Sequence, residues 1–530
     1  MKILVISIKL LLIISLFVSC SSSSEDRSTP DNESEKIVLD SEDSDLIDTS
    51  TNLSNCEFNN QILNSNDSVI AYQQDLVPFG SVCQSETRIC LNGVLTGTYL
   101  YEKCSVKSWT MQVGTEEYDT ISGLTLSTND DIIITGITEG KMDTNSSAND
   151  PYGVYVRKYD STQKIIWTRQ IGSVSNVERI ISDSSNNLYI GGRVNGDVDL
   201  EGDGSEGILD GYLVKYSSKG TRQWSIDFGT TGTEYVDDID LDLNGNIYLA
   251  GLTPNSFDGN IHFGDSDAYL IKYSSNGEKQ WVRQIGSEKY DVAQSLKADF
   301  SGNIIIAGVT AGSINSNTSS GSWDAFLGSY DSNGNLKWIK QFGTSERDEA
   351  QAVTVDKEGN IYVSGITAGD LDGNYNNGGE CILVRDSTPC PDVFLTKFSA
   401  VGEKKWTRLF GTNRREEIKD IDIDLNENIY LLGHTHGDLD GNTNSGGLCK
   451  RFDSTVNCPD VFLTKFDSNG SKKWTRLIGT ESYDYADAVV VNDSGDIFIA
   501  GRTQGGIDGN QNIGKVDGFI AKYNSEGIKF

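Results

Sequence analysis

Three sets of side chains in this 530-residue sequence have the types and spacing to do chemistry. The first is a recurring Asp-x-Asp-Gly-Asn-x-Asn: Asp370, Asp372, Asn374 and Asn376, then Asp438, Asp440, Asn442 and Asn444. Asp508, Asn510 and Asn512 repeat most of it, Asp258 and Asn260 part of it, and Asp197, Asp199, Glu201 and Asp203 form a related acidic run. Oxygens at alternate positions suit Ca²⁺, which takes about 6–8 hard oxygen ligands. The glycine is misplaced for an EF-hand, however, and Asp-Gly and Asn-Gly are also turn formers that bond their own backbone. Calcium ligation and turn chemistry are thus the two readings, and calcium is the cofactor to test. The second set is one carboxylate five residues after a recurring glycine: Asp119, Glu234, Asp291, Asp348, Glu416 and Asp484. The third is His434 with His436, one residue apart at a strand end and so on one side of it. They could begin a metal site, but equivalent positions hold Ile366 and Ala368. His262 stands alone in a loop and reads as a surface residue.

No catalytic residue is assigned. Three histidines offer few candidates, and no nucleophile motif, phosphate-binding glycine loop or zinc signature occurs. Acidic pairs are too abundant to single out a carboxylate-based glycosidase or lyase, which stays as the enzymatic alternative.

Of nine cysteines, Cys381 with Cys390 and Cys449 with Cys458 share one spacing and the same downstream text, CPDVFLTKF. They read as two local disulfides closing equivalent loops; zinc held by four thiolates is the rival reading. Cys56, Cys83, Cys90 and Cys104 read as two bridges of a small domain over residues 56–104, with three pairings open.

What must position these groups is a repeat. Trp109, Trp167, Trp224, Trp281, Trp338, Trp406 and Trp474 follow one another at steps of 58, 57, 57, 57, 68 and 68. The two longer steps each hold one cysteine loop. Within one unit, Ala352–Asp356 alternates as a strand, Glu358-Gly359-Asn360 turns, and Ile361–Gly365 is rich in β-branched residues. A long loop precedes a third strand near Val393–Phe398, and a turn at Val401-Gly402 leads to the Trp strand. Four antiparallel strands, seven times, predict an all-β, seven-bladed propeller over residues 105–530. The array opens with a lone Trp strand and closes with three strands, which predicts a one-plus-three clasp. Every long loop falls on one face, where binding residues are expected. There the second set would sit near the axis and draw a cation or a basic partner, or would bond backbone N–H groups and tie blade to blade.

The pattern Asp-x-Phe-x-x-Lys-Tyr-Asp-x-x-Gly-x-x-x-Trp, followed by Val-x-x-Gly-Asn-Ile-Tyr-x-x-Gly-x-Thr, resembles the bacterial SBBP β-propeller repeat. The resemblance implies a propeller fold and an exported location, and no settled activity.

At the N-terminus, Lys2, Lys9 and the apolar run Leu10–Val18 end at Ser19-Cys20. This resembles a bacterial lipoprotein signal over residues 1–19, with Cys20 as the lipidated residue; Phe17 departs from the usual leucine. By that resemblance the protein is an outer-membrane lipoprotein, periplasmic or surface-exposed, with residues 20–55 as an acidic, serine-rich tether. The net charge of −33 sets it against nucleic acid. The expected role is non-catalytic binding of an envelope or extracellular protein or glycan, with a polysaccharide-acting enzyme or pure surface display as alternatives.

Overall fold

The computed structural model describes residues 54–77, 82–106, 108–142, 153–172, 174–194, 209–379, 389–451 and 454–530. Cys20, the signal segment, Cys381 and the acidic run at 197–203 lie outside the described residues. No helix among them is long and apolar enough to cross a membrane.

The described chain is all β and forms two compact units. The first joins residues up to Ser68 with Ile89–Thr96. In it Cys56–Phe58 pairs antiparallel with Gln61–Leu63 through Asn59 and Asn60, both at positive φ, and Cys56 is bonded to Cys90. Asparagine tolerates this left-handed backbone, so the Asn-Asn pair makes the hairpin.

The second unit runs through Val69–Arg88 and Gly97–Phe530 and contains the Cys83–Cys104 and Cys449–Cys458 disulfides. Cys390 is also disulfide-bonded. Among the described residues the unit has seven four-stranded antiparallel sheets, numbered here in chain order. Sheet five shows the pattern: Asp348–Val355, Ile361–Thr367, Asp392–Phe398 and Lys404–Phe410, side by side in that order. The first strands of successive sheets touch in sequence, and that of sheet seven returns to that of sheet one. The sheets therefore close a ring, with first strands innermost.

Burial follows this order. Ile361–Thr367 is buried at every residue, whereas Lys404–Phe410 exposes its leading lysines. A strand covered on both faces reads as a continuous apolar run, which is why IYVSGIT shows no alternation. The core lies between neighbouring sheets: Tyr248 and Leu270 of sheet three pack with Leu296, Ile306 and Phe326 of sheet four.

The recurring tryptophan ties sheet to sheet. The Trp338 indole N–H donates to the Ala400 carbonyl at 3.3 Å, and Trp474 donates to Ser525 at 3.2 Å. Gly402, at φ +76, turns beneath the Trp338 ring, where a Cβ would come within 2.9 Å of it. Only glycine meets both demands. Closure is the expected clasp: Met111–Val113 supplies the fourth strand of sheet seven by pairing with Asp517–Tyr523. Trp109 itself precedes that strand, and its backbone N–H donates to the Phe530 carbonyl at 2.6 Å.

Candidate binding site

Loops from second to third strands, and links from fourth strands to the next sheet, emerge on one face. There they meet: Ser266 bridges Tyr290, and Trp323 bridges Arg347. The opposite face has tight turns such as Asp242-Leu243-Asn244-Gly245, closed by the Gly245 N–H to the Asp242 carbonyl at 2.9 Å.

Four of the repeated carboxylates begin first strands, Glu234 immediately precedes one, and Asp119 lies four residues before Gly123–Leu126. Asp119, Glu234, Asp291, Asp348, Glu416 and Asp484 are all 0% exposed. Each accepts the backbone N–H of the Thr or Ser four residues earlier, at 2.5–3.0 Å. The hydroxyl of that residue donates to the same carboxylate. None of the six lines the central cavity. Of the two readings, these contacts match the one in which each carboxylate bonds backbone N–H groups: the side chains turn back into the links that carry the chain between sheets.

Each has a second buried carboxylate for a neighbour. Third strands begin with Asp210, Asp267, Asp324, Asp392, Asp460 and Asp517, also 0% exposed. The sequence reading took this aspartate only as part of a repeat text; its recurrence at a buried strand start was the available signal. A Cβ on Gly343 would lie 2.6 Å from Asp324 Oδ1 and 2.8 Å from Asp348 Oδ2, so the glycine leaves room for both. Gly229 and Gly411 separate Asp210 from Glu234 and Asp392 from Glu416 in the same way. Burial raises these groups, Asp291, Asp392, Asp460 and Asp484 to about 6 and Glu416 to about 7. Charge from the neighbouring carboxylate adds to this at Asp291, Asp460 and Glu416.

The Asp-Gly loops are turn locks. Asp372, Asp440 and Asp508 lie at φ 52–54, each followed by a glycine at positive φ. The Asn374, Asn442 and Asn510 amides donate to the carbonyls of Leu371, Leu439 and Ile507 at 3.0 Å. Asp370 Oδ1 accepts the Asn376 N–H at 2.9 Å and Asp438 Oδ1 the Asn444 N–H at 2.8 Å. The remaining aspartate oxygens face lysines of the outer strands or the C-terminal tail: Lys404 at 2.8 Å from Asp372, Lys472 at 2.5 Å from Asp440, and Lys529 at 2.5 Å from Asp508. The three acidic side chains that approach closely enough for one ion among the described residues are Asp356, Glu358 and Glu427, remote from these loops. The contacts described in these loops are those of hydrogen-bonded turns.

The histidines do not converge either. His434 ends the second strand of sheet six, with Nε2 3.4 Å from Glu417 and its ring against Tyr485 at 4.9 Å. Burial lowers its pKa, with Glu417 opposing. His436 lies past the strand end, and its Nδ1 meets the Asn457 carbonyl at 2.7 Å. His262 is not free on the surface; it leans on Asp267 at 3.3 Å.

What sequence reading missed is the axis. Its central cavity is lined by Arg179, Asp238, Lys297 and Asp420 with their neighbours on all seven first strands. The Arg179 guanidinium crosses from sheet two to Asp238 of sheet three at 3.4 Å and Asp420 of sheet six at 3.6 Å, and donates to the Asp487 carbonyl of sheet seven at 3.2 Å. Lys297 reaches Asp240 at 3.3 Å. At the long-loop end a second cavity of about 360 Å³ opens, lined by Tyr118, Ile137, Glu178, Arg179, Asp237, Lys419, Asp487 and Arg502. Around its mouth Arg193 lies over the Tyr235 ring at 4.2 Å, and Arg502 over Tyr485 at 5.1 Å. These residues occupy equivalent positions in successive units, but their types differ from unit to unit, so no shared motif marks them.

Two segments of the chain, residues 337–372 and 405–440, match the SBBP β-propeller repeat, so the chain carries repeats of this type. Among curated proteins, the regulatory protein FlaEY of Caulobacter vibrioides is 23% identical over 304 residues, covering 52% of this chain and 30% of that protein. The chain therefore spans under a third of this relative's length. The WD40 domain of Neurospora crassa Pan2 is similar in fold at 9% identity and a TM-score of 0.42, covering 78% of this chain and 94% of that one. The polysaccharide lyase Uly1 gives 12% identity and a TM-score of 0.42, covering 76% and 90%. Both scores are low, and the fold rests on the sheets themselves.

Proposed function

We propose that the protein is a lipid-anchored, extracytoplasmic propeller that binds a protein or glycan at the cell envelope through its long-loop face, without turning it over. One observation carries the binding role. The long-loop face gathers arginine, carboxylate and tyrosine side chains from sheets one, two, three, six and seven around a cavity floored by Arg179. A concave site on a rigid scaffold, here lined almost wholly by polar and charged side chains, is where ligands bind. The anchor and export rest on the N-terminal text ending at Cys20. The grouping of His434, Glu417 and Tyr485 beside that mouth favours the polysaccharide-acting alternative.

The experiment is incubation of the full chain with envelope proteins and glycan fractions, followed by capture and by analysis of the glycans. Stable capture with intact glycan supports the binding role; shortened chains would replace it with the enzyme. For the anchor, Cys20→Ser should move the protein from the membrane to the soluble fraction.

A further inference from the structure

The first strands of sheets two to seven each carry a β-bulge near their long-loop ends. In sheets two, three, six and seven the extra residue is Glu178, Asp237, Lys419 and Asp487, and all four line the mouth cavity. A bulge re-aims a side chain that regular pairing would point elsewhere.

Most charges there are already matched. Glu178 meets Arg193 at 3.3 Å, Lys419 meets Glu417 at 3.4 Å, and Arg502 meets Asp487 Oδ1 at 3.2 Å. Arg179 is held from below by Asp238 and Asp420. Two oxygens remain. Asp237 Oδ2 and Asp487 Oδ2 are sealed from solvent and accept no hydrogen bond, and Asp237 has no ion-pair partner among the described residues. A buried carboxylate oxygen left without a donor is costly, so this pair of oxygens is complementary to a group that brings donors and positive charge.

We propose that this cavity receives the side-chain ammonium of a lysine on a protein partner, which donates to Asp237 and Asp487 while Arg179 closes the floor. The inference rests on the binding role and names its ligand. An ammonium has rotatable donors for two separate acceptors, whereas a guanidinium prefers the two oxygens of one carboxylate. A volume of about 360 Å³ is at the small end for ligand pockets and suits one long side chain better than a sugar chain. The net charge of −33 steers basic partners toward the protein.

In the empty cavity, burial and then the Glu178 charge push Asp237 up to about 8, with Asp238 raising it and Arg193 and Arg179 opposing. Tyr269 and Tyr290 also face it and stay neutral, since burial raises both. Binding therefore expels a proton from Asp237, and affinity falls about tenfold per pH unit below 8.

The test is calorimetry of the full chain in detergent at 150 mM salt. The probes are a blocked pentapeptide Gly-Gly-Lys-Gly-Gly, its acetyl-lysine and arginine counterparts, and a glucosamine oligomer. The lysine peptide should bind with release of close to one proton at pH 7, read from two buffers of different ionisation enthalpy. Asp237→Asn should weaken it at least tenfold, and so should Ile137→Trp, which narrows the entrance. Asp493→Asn, on the tight-turn face, should change nothing. Equal affinity for wild type and both cavity variants, no binding of the lysine peptide, or binding of the glucosamine oligomer alone would overturn the proposal. If envelope partners are still captured equally by wild type and Asp237→Asn, the binding role survives and this site falls.

Discussion

Six of the seven links between successive sheets carry two buried carboxylates, one from a third strand and one from the next first strand. The link from sheet one to sheet two carries neither. Its third strand begins with Gly153 where the others have aspartate, and sheet two begins at Val174 with no carboxylate in that place. Both acids disappear together, so they form one device. A lone buried carboxylate would have to keep or lose its proton alone, whereas two neighbours can hold one between them. The irregular sheet also supplies Arg179, the cation that spans the axis. Where the repeat abandons its acid pair, it gains the charge that joins sheets three, six and seven to sheet two.

The strongest way to break this contrast is Arg179→Met. It strands Asp238 and Asp420 beside the axis, and should cost about 3 kcal/mol, read as a lowered Tm by calorimetry. Adding Asp238→Asn should restore part of that loss. Next comes pH. Carboxyls at about 6–7 in the fold against ~4 in the unfolded chain bind protons more tightly when folded. Their contribution is complete below about pH 4 and is lost as pH rises through 6–7. Tm should therefore be higher at pH 5 than at pH 8 by about 5 °C, and the double change Asp392→Asn with Glu416→Gln should flatten the curve. A smaller effect tests one link alone. Gly343→Ala pushes a methyl between Asp324 and Asp348 and should cost about 1–3 kcal/mol, read from the unfolding midpoint. Smallest of all is the exposed pair Lys404–Asp372: Lys404→Met should shift stability by less than about 0.5 kcal/mol, and Tm should be the same in calcium and in EDTA.

The fold was largely legible. Tryptophan spacing gave the period, and glycine turns with β-branched runs gave four strands per unit. The lone Trp segment at the start gave the clasp. The site was less so, for a physical reason. Asp372 and Asp348 repeat, and a repeated polar residue serves what every unit needs, a turn or a link. A binding site on the axis needs different side chains from each unit, so Arg179, Asp237 and Asp487 are what periodicity averages away. The bulges that aim them depend on cross-strand register, which no single strand's text contains.

The clasp has a mechanical consequence. Tension arriving from the N-terminal side enters the ring through Met111–Val113, three residues held to Asp517–Tyr523. The other six sheets each draw all four strands from one continuous stretch of chain. The seam in sheet seven is then the fuse of the ring, the place where force would unzip it while six sheets stay whole.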